Sequence, residues 1–280
     1  MGFFSINRFD EPGKGVDKDA PEKRRFFLFW EIVWRKLGKL MGLSLLYTLM
    51  CIPVVTIGPA TAGFTYVLKN FATKEPTFAV HDFFDAFRKN WKKSFVVSLL
   101  DAVVIVLLGT AIPFYYSALS QSAFFYLPLA VCLSGAFIAI MMNYYLYLMI
   151  VSLDLKLKLI IKNAFLISCA AIKTNIITSL IVAVFVFGAY LTFPYLTIFY
   201  FIFMAIIGFG ILGLAICFNS YRQIIKYIVD PYYEKQDRVT SLEEGEQENV
   251  EDNEPIFKDI GSSEVPVKID RKKHRNKTIR

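Results

Sequence analysis

Four polar residues stand inside otherwise apolar stretches of this sequence and are the first candidates for chemistry: Asp101, Asn143, Asn175 and Asn219. A carboxylate among apolar helices costs about 3 kcal/mol on membrane-insertion scales, so Asp101 is a functional candidate. Its carboxyl group is expected to be protonated, to pair with a basic side chain, or to accept a hydrogen bond from a Tyr or Asn of a neighbouring helix. The alternative is that all four side chains only hold helices together, with less than about 2 kcal/mol from each.

The other reactive residue types form no recognisable site. His81 and His274 are isolated in charged segments, which predicts neither a catalytic triad nor a metal site. The cysteines have no Cys-x-x-Cys or Cys/His spacing, so neither a zinc site nor a disulfide framework is expected: Cys51, Cys132, Cys169 and Cys217. Nucleotide-binding glycine motifs and Gly-x-Ser-x-Gly do not occur. We therefore expect no catalytic residue, no metal and no cofactor, and we do not expect an enzyme.

Two uncharged stretches define the class of protein. No charged residue occurs between Asp101 and Asp154, or between Lys173 and Arg222. Each interval is long enough for two membrane crossings of roughly 20 residues. The chain of 280 residues is also 55% hydrophobic, too apolar for an ordinary soluble domain. The predicted fold is all-α, a polytopic transmembrane helix bundle with about six spans.

The apolar runs and their breaks give the predicted spans: 37–57, 60–73, 94–116, 124–153, 174–193 and 197–220. If all six cross with the N-terminus inside, the outer turns at 58–59, 117–122 and 194–196 contain no Lys or Arg, as the positive-inside rule requires. If only 60–73 failed to cross, the basic cluster at 88–93 would lie outside. We therefore predict six crossings in the cell (plasma) membrane, with both termini cytoplasmic.

The sequence divides into three parts. Residues 1–36 form a cytoplasmic segment with an interfacial amphipathic helix, residues 37–229 the transmembrane domain, and residues 230–280 a cytoplasmic tail. Trp30, Trp34 and Trp91 lie beside predicted inner ends of helices and are expected to anchor them at the interface. An acidic block and a basic end with few apolar residues predict a disordered tail, dispensable for insertion from 238 onward. Its basic end is expected to bind the inner leaflet or an acidic partner, or to be simply solvated.

A threefold pattern runs through the apolar part. Ser44, Ser98 and Ser179 each begin a Ser-Leu-Leu or Ser-Leu-Ile triplet. A proline stands 15 residues after each serine and is predicted to end a helix at the outer face: Pro59, Pro113 and Pro194. Either the pattern is a coincidence, or an interfacial helix followed by a two-helix hairpin is used three times, as in some transporters with substrate near the repeat interface.

Three segments carry a family resemblance: Trp-Arg-Lys-Leu-Gly-Lys-Leu at 34–40, Ile-Pro-Val-Val-Thr-Ile-Gly-Pro-Ala-Thr-Ala at 52–62, and Phe-Asp-Ala-Phe-Arg-Lys-Asn-Trp-Lys-Lys-Ser-Phe at 84–95. They resemble the YesL family of bacterial membrane proteins, which contains domain of unknown function 624, and the opening at 10–16 is also similar. The resemblance covers about residues 1–110. It implies a multi-pass membrane protein associated with carbohydrate uptake and degradation, without agreed functional residues. Pro53 and Gly58-Pro59 are expected to form a kinked helix end and a tight outer turn.

Two functions from different classes follow. The first is a non-enzymatic accessory or regulatory protein of carbohydrate uptake. Its expected partners are the lipid bilayer, anionic headgroups that meet the basic segments, and a sugar transporter or other membrane protein. The alternative is a small-solute permease built from three helical hairpins, which needs a polar, hydrated cavity among the last four spans. The net charge of +7 belongs to basic segments beside the membrane or in the tail, so nucleic acid is not expected as a partner.

Overall fold

The computed structural model describes residues 24–192 and 196–236, which form helices and short connections without a β-strand. This confirms the predicted all-α helix bundle. Ten α-helices occur in the described part: α1 (Arg25–Arg35), α2 (Leu37–Met50), α3 (Ile57–Ala72), α4 (Ala79–Lys89), α5 (Trp91–Ala118), α6 (Tyr126–Ser152), α7 (Leu157–Ala170), α8 (Ile172–Thr192), α9 (Thr197–Phe203) and α10 (Phe209–Ile224). Short 3₁₀ turns (Val54–Thr56, Ala123–Phe125) precede α3 and α6, and a π-helical segment (Met204–Gly208) joins α9 to α10.

Four helical segments of the described part are long and apolar enough to cross a membrane: Trp91–Ala118, Ala123–Ser152, Ile172–Thr192 and Thr197–Gln236. They correspond to the last four predicted spans, to within a few residues at most ends and with the last segment extending further. The first two predicted spans correspond to α2 and α3, with only 14 and 16 residues. At a rise of 1.5 Å per residue these helices are about 21 and 24 Å long, which is less than the roughly 30 Å of a bilayer core. The bundle therefore has four full-length helices and a short first hairpin.

The threefold pattern corresponds to three structural units, α1–α3, α4–α6 and α7–α10. In each unit a short helix is joined to the next helix by a single residue: Lys36, Asn90 or Ala171. The three joint residues share one conformation, with φ between −110° and −96° and ψ between 8° and 32°. Each donates its N–H to the carbonyl four residues earlier at 2.8–3.0 Å and accepts from the N–H four residues later at 2.9–3.0 Å. Each joint residue thus keeps both of its own backbone hydrogen bonds while the chain turns from one helix into the next.

The serines of the sequence pattern occupy equivalent places, because each lies eight residues after its joint. Every one packs on the second hairpin helix of the preceding unit. Ser98 packs beside Gly58 of α3, Ser179 Oγ lies 3.1 Å from the Tyr144 hydroxyl of α6, and Ser44 Oγ accepts the Gly210 N–H of α10 at 2.8 Å. Units one, two and three therefore contact each other in cyclic order. This agreement in spacing, joint geometry and contacts favours a true repeat over coincidence.

Pro59 and Pro113 do not have the predicted role. Pro113 lies inside α5, which continues to Ala118, and Pro59 is the third residue of α3, where it begins a helix rather than ending one. A proline in the first helical turn leaves no intrahelical hydrogen bond unmade, because the N–H that it lacks has no partner there in any helix. Pro53 precedes the 3₁₀ turn as its N-cap residue. Pro194 lies outside the described residues.

Helix α3 is the most enclosed element, with eleven of its sixteen residues buried. Small residues allow this. A Cβ atom on Gly58 would collide with the Ser94 carbonyl oxygen and lie 2.6 Å from Ser98 Oγ, and one on Gly63 would lie 2.6 Å from the Phe83 carbonyl oxygen. The helices can approach this closely only because glycine has no side chain.

The same contact corrects the predicted outer turn. Gly58 touches Ser94, which directly follows Lys92 and Lys93, and the positive-inside rule places those lysines at the inner surface. Gly58 therefore belongs to the first turn of α3 rather than to a turn between helices, and it lies beside the end of α5 that this rule predicts to be the inner one. If the α2–α3 hairpin enters the membrane and leaves it on the same side, neither of its helices counts as a crossing. The number of spans then falls by two, so the orientation of α5 and all later helices stays the same. The charge argument for an even number of spans consequently fits four as well as six.

The last helix reaches Gln236, seven residues beyond the predicted end of the transmembrane domain at 229. The remaining tail, its predicted disorder and the opening residues 1–23 lie outside the described ranges.

Replacement of Gly58 by Ala is expected to lower the stability of the folded bundle by about 1–3 kcal/mol, because the new methyl group meets the α5 backbone and overpacks the site. Gly109→Ala is the matched control, since no atom lies within 4 Å of its added Cβ. The control is expected to gain up to about 1 kcal/mol of helix propensity. Reversible unfolding in detergent, followed by circular dichroism, gives both values. Equal stability of the two variants would contradict the packing argument.

Single cysteines at Val55, Asn90 and Gln121, in a chain without the four native cysteines, test the short hairpin. An impermeant thiol reagent added outside intact cells is expected to label position 121 and to leave positions 55 and 90 unlabelled. Four and six spans give the same result at 90 and 121, so position 55 separates them. Labelling of position 55 from outside would restore the six-span topology.

Candidate functional site

Asp101 of α5 lies at the centre of a small polar cluster with two residues of α6. Its Oδ1 accepts a hydrogen bond from Asn143 Nδ2 at 3.1 Å, and its Oδ2 accepts one from the Tyr147 hydroxyl at 3.2 Å. The carboxyl group is half-buried. Of the three environments expected for this group, the structure contains the one in which a Tyr and an Asn donate to it.

Helix geometry explains why these residues meet. Asn143 and Tyr147 are four residues apart in α6, so both point to the same neighbour. α5 and α6 are consecutive helices that are joined by a short turn and run antiparallel. At the end of the pair opposite this turn, Lys93 Nζ near the start of α5 donates to Asp154 Oδ1, just after α6, at 3.2 Å. The cluster therefore fixes the register between two long helices. A buried carboxylate with two neutral donors can hold helices together or exchange a proton.

Asn175 belongs to a second, more deeply buried cluster. Its side chain is fully enclosed, its Nδ2 donates to the Ser168 carbonyl oxygen at 2.8 Å, and its Oδ1 accepts from the Tyr145 hydroxyl. Ser168 precedes the joint at Ala171 and Asn175 follows it, so the amide spans the joint between α7 and α8. This arrangement assigns Asn175 a structural role at the third joint.

Asn219 of α10 faces α8. Its Nδ2 donates to Thr178 Oγ1 at 3.3 Å, and one turn later Gln223 Nε2 donates to Thr174 Oγ1 at 2.9 Å. The four candidate polar residues thus divide into three places: Asp101 with Asn143, Asn175 alone, and Asn219 alone. They do not converge on one site.

Sequence reasoning did not single out the tyrosines of α6. Tyr144, Tyr145 and Tyr147 each reach a different partner, Ser179, Asn175 and Asp101 respectively. The signal was present in the Tyr-Tyr-x-Tyr run at the end of the first uncharged stretch. From the sequence alone these tyrosines are indistinguishable from the many aromatic residues that face lipid.

The open grooves on the described part of the bundle include two that lie between helices. One, of about 560 Å³, lies between the tip of the first hairpin (Cys51, Ile57) and α9 (Phe201, Ile202). The other, of about 380 Å³, lies between α5, α6 and α7, beside Val104. Both are lined almost wholly by apolar side chains, and neither includes Asp101 or the three asparagines.

The remaining predicted residues fall at helix ends or surfaces. Trp30 and Trp34 are exposed on α1, and Trp91 begins α5 with its ring 5.2 Å from that of Phe87. Their role as interface anchors stays a prediction. His81 is exposed near the start of α4, with Nδ1 3.4 Å from Asp82 Oδ1.

A helix bundle with four apolar helices of membrane-spanning length defines an integral membrane protein. Residues 39–111 match the family model described as "Protein of unknown function, DUF624". The match supports a YesL-like family assignment and confirms the resemblance drawn from the sequence over these residues. It runs from α2 to α5 and so includes Gly58, Ser98 and Asp101. No curated protein and no solved structure matches the chain.

The Asp101 cluster is expected to contribute modestly to stability. A double-mutant cycle of Asp101→Leu with Tyr147→Phe should give a coupling energy of roughly 0.6 kcal/mol and at most about 1.7 kcal/mol, the range of hydrogen bonds between membrane helices. The matched control is the cycle with Tyr145→Phe, because Tyr145 bonds Asn175 instead, and its coupling should be near zero. Unfolding midpoints in detergent provide both cycles.

Asp101→Asn separates structure from function at the same position. If the residue serves packing alone, Asp101→Asn and Asp101→Leu should both keep wild-type behaviour in a growth or uptake assay. Loss of activity by both variants at normal membrane insertion would instead make the carboxyl group functional.

Proposed function

We propose that this chain is a non-enzymatic accessory or regulatory protein of the plasma membrane that serves carbohydrate uptake, with both termini in the cytoplasm. The membrane class follows from the four long apolar helices. The link to carbohydrate uptake rests on the resemblance to the YesL family alone. The orientation rests on the basic segments between helices, which the positive-inside rule assigns to the cytoplasmic side.

One observation carries the choice of an accessory protein. The middle of the described bundle is filled by α6, where every residue from Tyr144 to Ile150 is buried. The polar side chains around this segment bond one another rather than lining a space: Asp101, Asn143, Asn175 and Tyr145 all have partners inside the protein. A filled bundle of this kind suits a protein that binds another protein better than one that carries a solute.

The permease alternative requires a polar cavity at the repeat interface. At the three repeat contacts the structure has close packing of serines on glycine or tyrosine, and the two grooves are apolar and open to the side. These observations favour the accessory protein over the permease.

The test combines purification from native membranes with reconstitution. The tagged full chain is expected to co-purify with a solute transporter in a fixed ratio, and deletion of its gene should reduce uptake of that transporter's sugar. An untagged chain and a tagged multi-pass protein of different family are the controls. The purified chain alone, in liposomes, is expected to transport no sugar. Sugar uptake by these liposomes would overturn the proposal in favour of the permease.

A further inference from the structure

Two arginines from different helices meet near the end of α10. Arg25, the first residue of α1, places its guanidinium carbon 5.2 Å from the centre of the Phe218 ring. Its Nη2 also donates to the Phe218 carbonyl oxygen at 3.4 Å. Arg222 lies one turn after Phe218, so it projects from the same face of α10. Both guanidinium groups therefore occupy one side of this helix.

Neither arginine has a carboxylate partner among the described residues 24–192 and 196–236. In the described part of the chain, Arg25 and Arg222 form no ion pair, and both side chains are exposed. Burial of part of the Arg25 side chain, and then the positive charge of Arg222, lower the pKa of Arg25. Two neighbouring cations without a counter-charge favour the binding of an anion, and guanidinium groups match phosphate oxygens in geometry.

The surface of α1 indicates the source of that anion. Four large aromatic side chains beside Arg25 are exposed: Phe26, Phe27, Trp30 and Trp34. Aromatic side chains on a helix with basic ends lie at the boundary between headgroups and acyl chains. Arg25 is thereby at the depth of lipid phosphate groups.

We propose that Arg25 and Arg222 form a binding site for the phosphate group of an anionic phospholipid, such as phosphatidylglycerol, in the inner leaflet. The two guanidinium groups hold the phosphate oxygens, and the acyl chains lie along the exposed aromatic side chains of α1. The stacking on Phe218 keeps Arg25 in position. Bound lipid thus connects the first helix of unit one to the last helix of unit three. Free inorganic phosphate could bind two guanidinium groups in the same way, so it is tested as the alternative source of the bound anion.

The experiment uses the full chain in phosphatidylcholine nanodiscs with and without phosphatidylglycerol. Wild-type protein is expected to unfold at a higher temperature when phosphatidylglycerol is present. The variant Arg25→Gln/Arg222→Gln is expected to lose most of this shift. The matched control, Lys158→Gln/Lys162→Gln, removes two exposed cations of α7 and should keep it. Equal loss in both variants would mean general surface charge and would overturn the site.

Inorganic phosphate added to the phosphatidylcholine nanodiscs should not reproduce the shift. If it does so in full, the lipid assignment is wrong. A second measurement needs no variant: phosphatidylglycerol should slow modification of Arg25 and Arg222 by phenylglyoxal several-fold, with little effect on the exposed Arg88. Equal protection of all three arginines would contradict the proposal even if the double variant does not fold.

Discussion

The close approach of α3 to its neighbours is the constraint on which the rest of the bundle depends. Gly58 and Gly63 let this helix touch the backbones of α5 and α4 directly, and the side chains that follow, such as Phe64, Leu68 and Phe71, are buried among α2, α6 and α10. In a membrane there is no hydrophobic force between helices, so contacts of this closeness supply much of the association energy. The short helix α3 thereby packs against three of the four long helical segments, through α5, α6 and α10.

The repeat explains how the same contact recurs with different chemistry. Each repeat serine meets the second hairpin helix of the preceding unit, but the partner is a glycine in two cases and Tyr144 in the third. The first hairpin is shorter than the other two, so the groove beside its tip is left next to α9. The exposed residues of that tip, Ile52, Val54 and Val55, are apolar and suit lipid better than water.

The polar residues within the helices take part in this organisation. Asp101 joins α5 to α6, Asn175 spans the joint between α7 and α8, and Asn219 joins α10 to α8. Each bond lies between elements that the repeat already brings together. All of these hydrogen bonds satisfy polar groups in an apolar environment. A different arrangement of the helices would leave these groups without partners, so the bonds make the observed arrangement specific.

Sequence alone determined the class, the helical fold, the four long helices and the repeat spacing, because hydropathy and charge act along the chain and need no tertiary partner. For Asp101 the sequence left three environments open, and a Tyr or Asn donor was one of them, because the choice depends on the register of α5 against α6. The lengths of the two helices in the first hairpin and the place of its turn were visible only in the tertiary structure. The run at 40–68 is apolar throughout, and the position of its turn depends on the contact of Gly58 with Ser94 and Ser98, which lie in another unit. The pairing of Arg25 with Arg222 has the same origin: the residues are almost two hundred positions apart and meet only because α1 packs on α10.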